Sequence, residues 1–134
     1  MTDLSTDKLL GTWDLLSWTR VAGDGTVTYP YGEKAKGRLI YDPSGQMCGF
    51  LMDPDYAHIE GVPPRPMVLS YVGHYSLHGD VVHHDIELSS VPNLIGETVR
   101  RKASLDGDRM TLTTLTSKGR DDRESHYILK WKKV

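Results

Sequence analysis

The stretch MVLSYVGHYSLHGDVVHHDIELS, residues 67–89, decides the fold of this chain. Its first half places mostly apolar side chains at odd positions, and its second half places them at even positions. The turn His78-Gly79-Asp80 separates the two halves, and Gly and Asp are typical of tight turns. This alternation predicts two antiparallel strands that bury one common face. The predicted inner face contains Met67, Leu69, Tyr71, Gly73, Tyr75, Leu77, Val82, His84, Ile86 and Leu88.

The same inner face continues through the following strands. A turn at Pro92-Asn93 sets the strand 81–89 against a strand at 95–104, and this register places Arg101 opposite His84. Because a shift of one residue would turn every side chain to the other face, agreement over successive hairpins favours one interior. With a turn at Asp106-Gly107, a strand at 109–116 and a last strand at 124–132, the inward set continues with Glu97, Val99, Arg101, Ala103, Met110, Leu112, Thr114, Thr116, Tyr127, Leu129 and Trp131.

The upstream half supplies the remaining strands, at 11–19, 26–29 joined with 36–41, and 46–52, after one helical turn near Ser5–Leu10. Trp13, Leu15 and Ser17 alternate inward if the last strand pairs back with the first. About eight antiparallel strands closed in this way have no free edge and leave an interior for one small ligand. We therefore predict an all-β chain, folded as one domain over residues 1–134, that forms an antiparallel eight-stranded up-and-down barrel.

Composition and charge exclude several classes of function. The 134 residues are 38% hydrophobic and 25% charged, with a formal net charge of −2, so no basic surface for nucleic acid or an anionic membrane is expected. Cys48 is the only cysteine, which rules out an intramolecular disulfide. The start of the chain lacks the pattern of a signal peptide, and no apolar run approaches the ~20 residues of a membrane span. We expect a cytoplasmic protein without a nucleic-acid or membrane partner, and a homodimer is left open.

Sequence motifs carry a resemblance to a known family. Gly11-Thr12-Trp13 matches the Gly-x-Trp signature at the start of the first strand of lipocalins. The pieces KGRLIYDPSG, YVGHYSLHGD, VVHHDIELSSVPNLIGE, VRRKASLDGDRMTLTT and LKWKKV extend the match. Over nearly all of residues 9–134 the chain resembles the bacterial and fungal lipocalin-like domain family.

The resemblance implies a calycin-type barrel. Relatives in the wider calycin group bind small hydrophobic molecules, and some small barrels of this shape catalyse cyclisation or isomerisation without a cofactor. Lipocalins usually pack a basic residue from near the last strand over the first-strand Trp, and the resemblance makes Lys130 and Lys132 the candidates here.

His84 and Arg101 are the most informative candidate pair. A cation that faces into an apolar barrel is costly unless it is paired or meets a ligand, and Glu97 is predicted on the same face, where it could offset the charge. In a functional interpretation Arg101 holds an anion or carbonyl beside a histidine able to move a proton. The alternative is a structural polar network that closes one end of the barrel.

Further inward residues complete the candidate site. Tyrosines offer apolar area and one hydroxyl, which suits a pocket lining, although ordinary core packing explains each of them equally well. The predicted ligand-binding set is Trp13, Ser17, Tyr71, Tyr75, His84, Ile86, Glu97, Val99, Arg101, Leu112, Thr114 and Tyr127.

Three other features have weaker functional interpretations. With His126, the outer-face pair His83 and Asp85 imitates a two-histidine, one-carboxylate metal site, but solvent exposure is the simpler account. The loop from Asp53 to Pro66 is long enough to act as a lid, or it forms an irregular helix or an oligomer contact. Cys48 is interpreted as a structural thiol.

Two hypotheses of function remain, besides the metal-dependent one. The first is a barrel that binds a mainly hydrophobic small molecule, with a polar or anionic end near Arg101 and His84. The second is a cofactor-free isomerase, cyclase or lyase. In it His84 is the general acid/base, Arg101 stabilises an oxyanion, and Tyr71 or Tyr75 orients the substrate. No serine-elbow, phosphate-loop or dinucleotide-binding motif is present, so no cofactor is expected.

Overall fold

The computed structural model describes residues 4–114, 117–118 and 124–134. A short helix, α1 (Thr6–Leu9), opens this part of the chain, and 3-10 helices lie at Pro54–His58 and Pro92–Leu94. The strands are β1 (Gly11–Val21), β2 (Val27–Thr28), β3 (Lys36–Tyr41), β4 (Gln46–Met52), β5 (Val68–His78), β6 (Val81–Ser89), β7 (Thr98–Asp106), β8 (Arg109–Thr114), β9 (Ser117–Lys118) and β10 (Glu124–Lys133).

The long strands form a closed antiparallel barrel of eight strands, in the order β1, β3, β4, β5, β6, β7, β8 and β10. Closure comes from β10, which pairs with β1 from Trp13–Lys133 to Val21–His126. The two-residue strands β2 and β9 each form a short antiparallel pair, β2 with the end of β1 and β9 with the start of β10. The predicted barrel and its helical turn are therefore confirmed. The stretch predicted as one strand, 26–29 with 36–41, is divided because β2 pairs with the far end of β1 and β3 with its start.

The register between β6 and β7 differs from the prediction by two residues. Val82 lies opposite Arg101, and His84 lies opposite Val99, so the predicted pairing of His84 with Arg101 is wrong. The partner of His84 is thus residue 99 instead of residue 101, so the connection from β6 to β7, which contains the 3-10 turn Pro92–Leu94, is two residues shorter than predicted. Because two residues are one full period of a strand, Val99, Arg101 and Ala103 stay on the inner face despite this shift.

A β-bulge between β5 and β6 corrects a second expectation. Gly73 pairs with Ile86 but its neighbour Val72 pairs with Leu88, so Glu87 is the extra residue. The bulge turns Leu88 outward, where 65% of it is exposed, and the prediction of Leu88 on the inner face is wrong. The strands approach closely here, since a Cβ on Gly73 would lie 1.9 Å from the carbonyl oxygen of Asp85.

A second bulge, in β1, reverses the expected position of Ser17. The register shifts between Leu15 and Ser17, so that Ser17 pairs with exposed Lys130 and Trp18 pairs with buried Leu129. Cross-strand partners share one face of a sheet, which places Ser17 on the outer face. Trp18 enters the core in its place, and the inward prediction for Ser17 is wrong.

The Gly-x-Trp segment lies against the last strand. The indole Nε1 of buried Trp13 donates to the carbonyl of Leu9 at 2.9 Å, and Lys133 Nζ lies 5.4 Å from the centre of its ring. Gly11 has φ +120°, and a Cβ there would lie 3.1 Å from the Lys133 side chain. The lysine over the tryptophan is therefore Lys133. Lys130 and Lys132, which the resemblance suggested, lie opposite Ser17 and Asp14 instead.

The core fills most of the barrel. Side chains from α1 and from all eight long strands form one buried cluster, whose largest members include Trp13, Tyr41, Met110, Leu112 and Trp131. No helix in the described residues is long and apolar enough to cross a membrane.

Candidate functional site

A cavity of about 30 Å³ lies inside the barrel. Since one water needs roughly 10–15 Å³ of such space, the cavity has room for two waters or for the polar end of a ligand. Its walls come from β3, β4, β5, β6, β7, β8 and β10. They comprise Leu39, Gly49, Phe50, Leu51, Leu69, Tyr71, His84, Arg101, Leu112, Leu129 and Trp131.

His84 is held between two tyrosines. It is 1% exposed, its Nε2 lies 2.6 Å from the hydroxyl of Tyr41, and its Nδ1 lies 2.7 Å from the hydroxyl of Tyr71. The three residues come from β3, β6 and β5, and each lies at an inward position of its strand. We call Tyr41, His84 and Tyr71 the tyrosine–histidine chain.

The electrostatics keep His84 and Tyr41 neutral. Burial lowers the pKa of His84 well below its usual value, and the charges of Arg101 and His83 lower it further. Burial likewise raises the pKa of Tyr41 well above its usual value, an effect that Tyr71 strengthens and Arg101 opposes. At neutral pH, therefore, His84 has one protonated nitrogen that donates and one bare nitrogen that accepts.

Two buried donors beside the chain lack a partner. Among the described residues, Arg101 Nη1 and Trp131 Nε1 are buried side-chain atoms without any hydrogen-bond partner, and both residues line the cavity. Buried polar groups in native proteins are nearly always hydrogen-bonded. Two such atoms around one cavity leave two donors open to an acceptor in that space, either water or the polar end of a ligand.

Glu97 does not offset the charge of Arg101. Its side chain is exposed and lies just before β7, while its backbone carbonyl accepts from the amide of Ile86 at 2.9 Å. The placement of Glu97 on the inner face is wrong, because the regular strand begins only at Thr98, and Gly96 and Glu97 both bond to the backbone of Ile86, so the alternation of β7 does not extend to Glu97. Within the described part of the chain, no carboxylate forms an ion pair with Arg101.

Four of the predicted ligand-binding residues line the cavity, namely Tyr71, His84, Arg101 and Leu112. The others lie elsewhere. Trp13 and Ile86 are core residues, and Val99 and Tyr127 are half-buried beside the core. Ser17 and Glu97 lie on the outside, as described above.

The two remaining predicted hydroxyls already have partners. The Tyr75 hydroxyl donates to the carbonyl of Asp42 at 2.8 Å, which ties β5 to the turn between β3 and β4. Thr114 Oγ1 accepts from the amide of Tyr127 at 2.7 Å and so continues the β8–β10 ladder by one step. Thr116, also predicted inward, lies outside the described residues.

Two polar residues of the site were absent from the predicted set. Tyr41 follows Gly37 and Leu39 at alternate positions of β3, and this alternation was the signal that could have indicated it. Trp131 was predicted to point inward but not to contact a ligand. No local pattern shows that its indole N–H is left without an acceptor.

The outer face does not form the hypothetical metal site. His83 stacks on His78 with ring centres 4.0 Å apart, Asp85 accepts from Thr98 Oγ1 at 2.6 Å, and His126 lies on β10, which does not adjoin β6. Among the described residues no group of three His, Cys, Asp or Glu side chains is placed to hold a metal ion.

The loop from Asp53 to Pro66 is held together by contacts between its two ends. Asp53, which is buried, accepts from the amide of Asp55 at 2.9 Å and from Arg65 Nη2 at 2.7 Å. The carboxylate thereby starts the 3-10 helix and joins the two ends of the loop. Tyr56 and His58 are exposed and do not line the cavity, so whether this loop acts as a lid stays a prediction.

Comparison with known proteins agrees with the geometry. No curated protein matches the sequence. A family model described as a lipocalin-like domain matches residues 10–134, which confirms the resemblance carried by Gly11-Thr12-Trp13 and the later motifs. The chain belongs to the lipocalin-like domain family.

Proposed function

We propose that this protein binds a small, mainly hydrophobic molecule inside its barrel and holds the polar end of that molecule beside Arg101. Membership of the lipocalin-like domain family supports small-molecule binding in general. The observation that carries the finer statement is the buried Arg101 Nη1, which has no partner among the described residues. A guanidinium in apolar surroundings is costly unless an acceptor meets it.

The size of the cavity defines how such a ligand sits. About 30 Å³ accepts a polar end, whereas sites for whole drug-sized molecules measure roughly 300–1,000 Å³. The apolar body of the ligand therefore needs side chains of the lining to move. Leu51 and Leu69 form the wall on β4 and β5, and Leu69 is only half-buried, so we expect the body to pass between these residues.

The test uses an apolar probe with an anionic end, 8-anilinonaphthalene-1-sulfonate, whose fluorescence rises in apolar surroundings. We expect binding at one site per chain and a loss of affinity of about tenfold or more in Arg101→Met, because a charge-assisted hydrogen bond contributes roughly 1.5–3 kcal/mol. The matched control is Arg100→Met. Arg100 is the preceding residue of β7 and is exposed on the outer face. Absence of one-site binding, or an equal loss in both variants, would refute the proposal.

A second candidate function is that of a cofactor-free isomerase, cyclase or lyase acting on a bound compound. The tyrosine–histidine chain favours it, because a proton could move between a substrate and His84 through the hydroxyl of Tyr71. Both nitrogens of His84 are engaged by tyrosines, so Tyr71 is the group in contact with the substrate and His84 acts through it. The Tyr75 hydroxyl is bonded to the Asp42 carbonyl, which makes a role in orienting substrate less favourable. Turnover that is lost in both Tyr71→Phe and His84→Gln would support the enzyme over the carrier.

A further inference from the structure

The direction of the hydrogen bonds in the tyrosine–histidine chain follows from Tyr41. Tyr41 is 1% exposed, and among the described residues its hydroxyl has one partner, His84 Nε2. If Nε2 carried the proton, the buried O–H of Tyr41 would have no acceptor. Nε2 is therefore the bare nitrogen, and the Tyr41 hydroxyl donates to it.

The direction of the other hydrogen bond in the tyrosine–histidine chain is then determined. A neutral imidazole with a bare Nε2 carries its proton on Nδ1, and Nδ1 donates to the hydroxyl oxygen of Tyr71 at 2.7 Å. The hydrogen of Tyr71 itself has no acceptor among the described residues. Tyr71 lines the cavity, so its O–H is available to a bound group there.

From the described residues, the cavity thus offers hydrogen-bond donors and no free side-chain acceptor. Its three polar groups are the Tyr71 O–H, Arg101 Nη1 and Trp131 Nε1, and the two nitrogens lack a partner in the described part of the chain. The accepting nitrogen of His84 is occupied by Tyr41. Every other lining residue is apolar or glycine.

We propose that the interior site is specific for a carboxylate or a similar anionic oxygen. In this proposal Tyr41 is a positioning residue: its bond to His84 leaves only hydrogen-bond donors facing the cavity. This inference rests on the proposed function and names the ligand class for the same cavity. Two oxygens of one carboxylate match a space of about two waters and meet three donors, one of them charged. An ammonium group would find no acceptor and would lie beside the positive charge of Arg101.

The experiment compares three ligands that share one eight-carbon chain: octanoate, octan-1-ol and octylammonium. Isothermal titration calorimetry with the full chain at pH 7.5 should show octanoate as the tightest ligand, by about tenfold over octanol and by more over octylammonium. Octylammonium binding as tightly as octanoate would overturn the inference while leaving the proposed function in place. If none of the three binds and the anilinonaphthalene probe does not bind either, the proposed function itself fails.

The role of Tyr41 has a test that needs no ligand. Nitrogen-15 chemical shifts of the His84 ring should show the proton on Nδ1 in the wild-type protein. Tyr41→Phe removes the donor to Nε2, so a fraction of the molecules should carry the proton on Nε2 instead of Nδ1. The preference for octanoate over octanol should then decrease by a factor of up to about ten. Tyr29→Phe, at an exposed loop position, is the control. A proton on Nε2 in the wild-type protein, or an unchanged ring and preference in Tyr41→Phe, would overturn the inference.

Discussion

Gly73→Ala tests the close approach of β5 and β6, on which the position of Tyr71 depends. A Cβ at Gly73 would lie 1.9 Å from the carbonyl oxygen of Asp85 and 3.1 Å from the Cα of Ile86. Nonbonded carbon and oxygen atoms do not approach so closely, and the obstacle is backbone rather than a side chain that could rotate away. The two strands would have to separate by more than about 1 Å at the bulge.

The expected cost has two parts. Overpacking in a well-packed region costs about 1–3 kcal/mol, and weakening the ladder bonds beside the bulge adds about 1 kcal/mol for each bond. Replacing glycine also lowers the entropy of the unfolded chain, which returns about 0.4–1 kcal/mol. We therefore expect Gly73→Ala to lower the free energy of unfolding by about 2–4 kcal/mol. For a chain of this length the Tm should fall by roughly 8–16 °C.

Gly49→Ala is the matched control for this measurement. Gly49 is an inward glycine of the neighbouring strand β4, and a Cβ there would meet Leu39 Cδ1 at 3.6 Å, an ordinary contact. Its stability should stay within about 0.5 kcal/mol of wild type or rise slightly. Urea denaturation followed by tryptophan fluorescence measures both variants. If the two free energies of unfolding differ by less than about 0.5 kcal/mol, the reasoning from the close approach is refuted.

Three further predictions concern single contacts. Because burial lowers the pKa of His84, the unfolded chain binds its proton more readily than the folded protein. His84 should therefore lower the free energy of unfolding as the pH falls below about 6.5, by up to about 1.4 kcal/mol for each pH unit. Above that pH it should have no such effect. Urea midpoints at pH 7.5 and 5.5 measure the cost, and ring signals that show a charged His84 in the folded protein at pH 5.5 would contradict it. Tyr75→Phe should lose about 1 kcal/mol of unfolding free energy with the bond to the Asp42 carbonyl; an unchanged urea midpoint would show that the bond contributes nothing. Lys133→Met should lose about 0.5–1 kcal/mol with the cation above Trp13, and a loss that persists undiminished in 1 M salt would argue for packing rather than charge.

Local patterns in the sequence were enough for the barrel and its inner face. Alternation with a period of two, together with turn residues such as His78-Gly79-Asp80, specifies which side of each strand is buried. Errors of two residues in register leave that side unchanged, which is why Arg101 and His84 were placed inside although their direct pairing was wrong. The barrel that follows from these faces is the one that the structure shows.

Only the tertiary structure decided what the interior contains. The bulges at Leu16 and Glu87 turn Ser17 and Leu88 outward, and no local pattern marks them, because a bulge depends on how two distant strands meet. Tyr41, Tyr71 and His84 converge through separate ladders, and Trp131 joins them when the last strand closes the barrel. The sequence by itself thus determined a closed barrel with a cation inside. The registers of eight strands together decided that this cation shares a small cavity with a tyrosine and with an indole N–H that has no partner among the described residues.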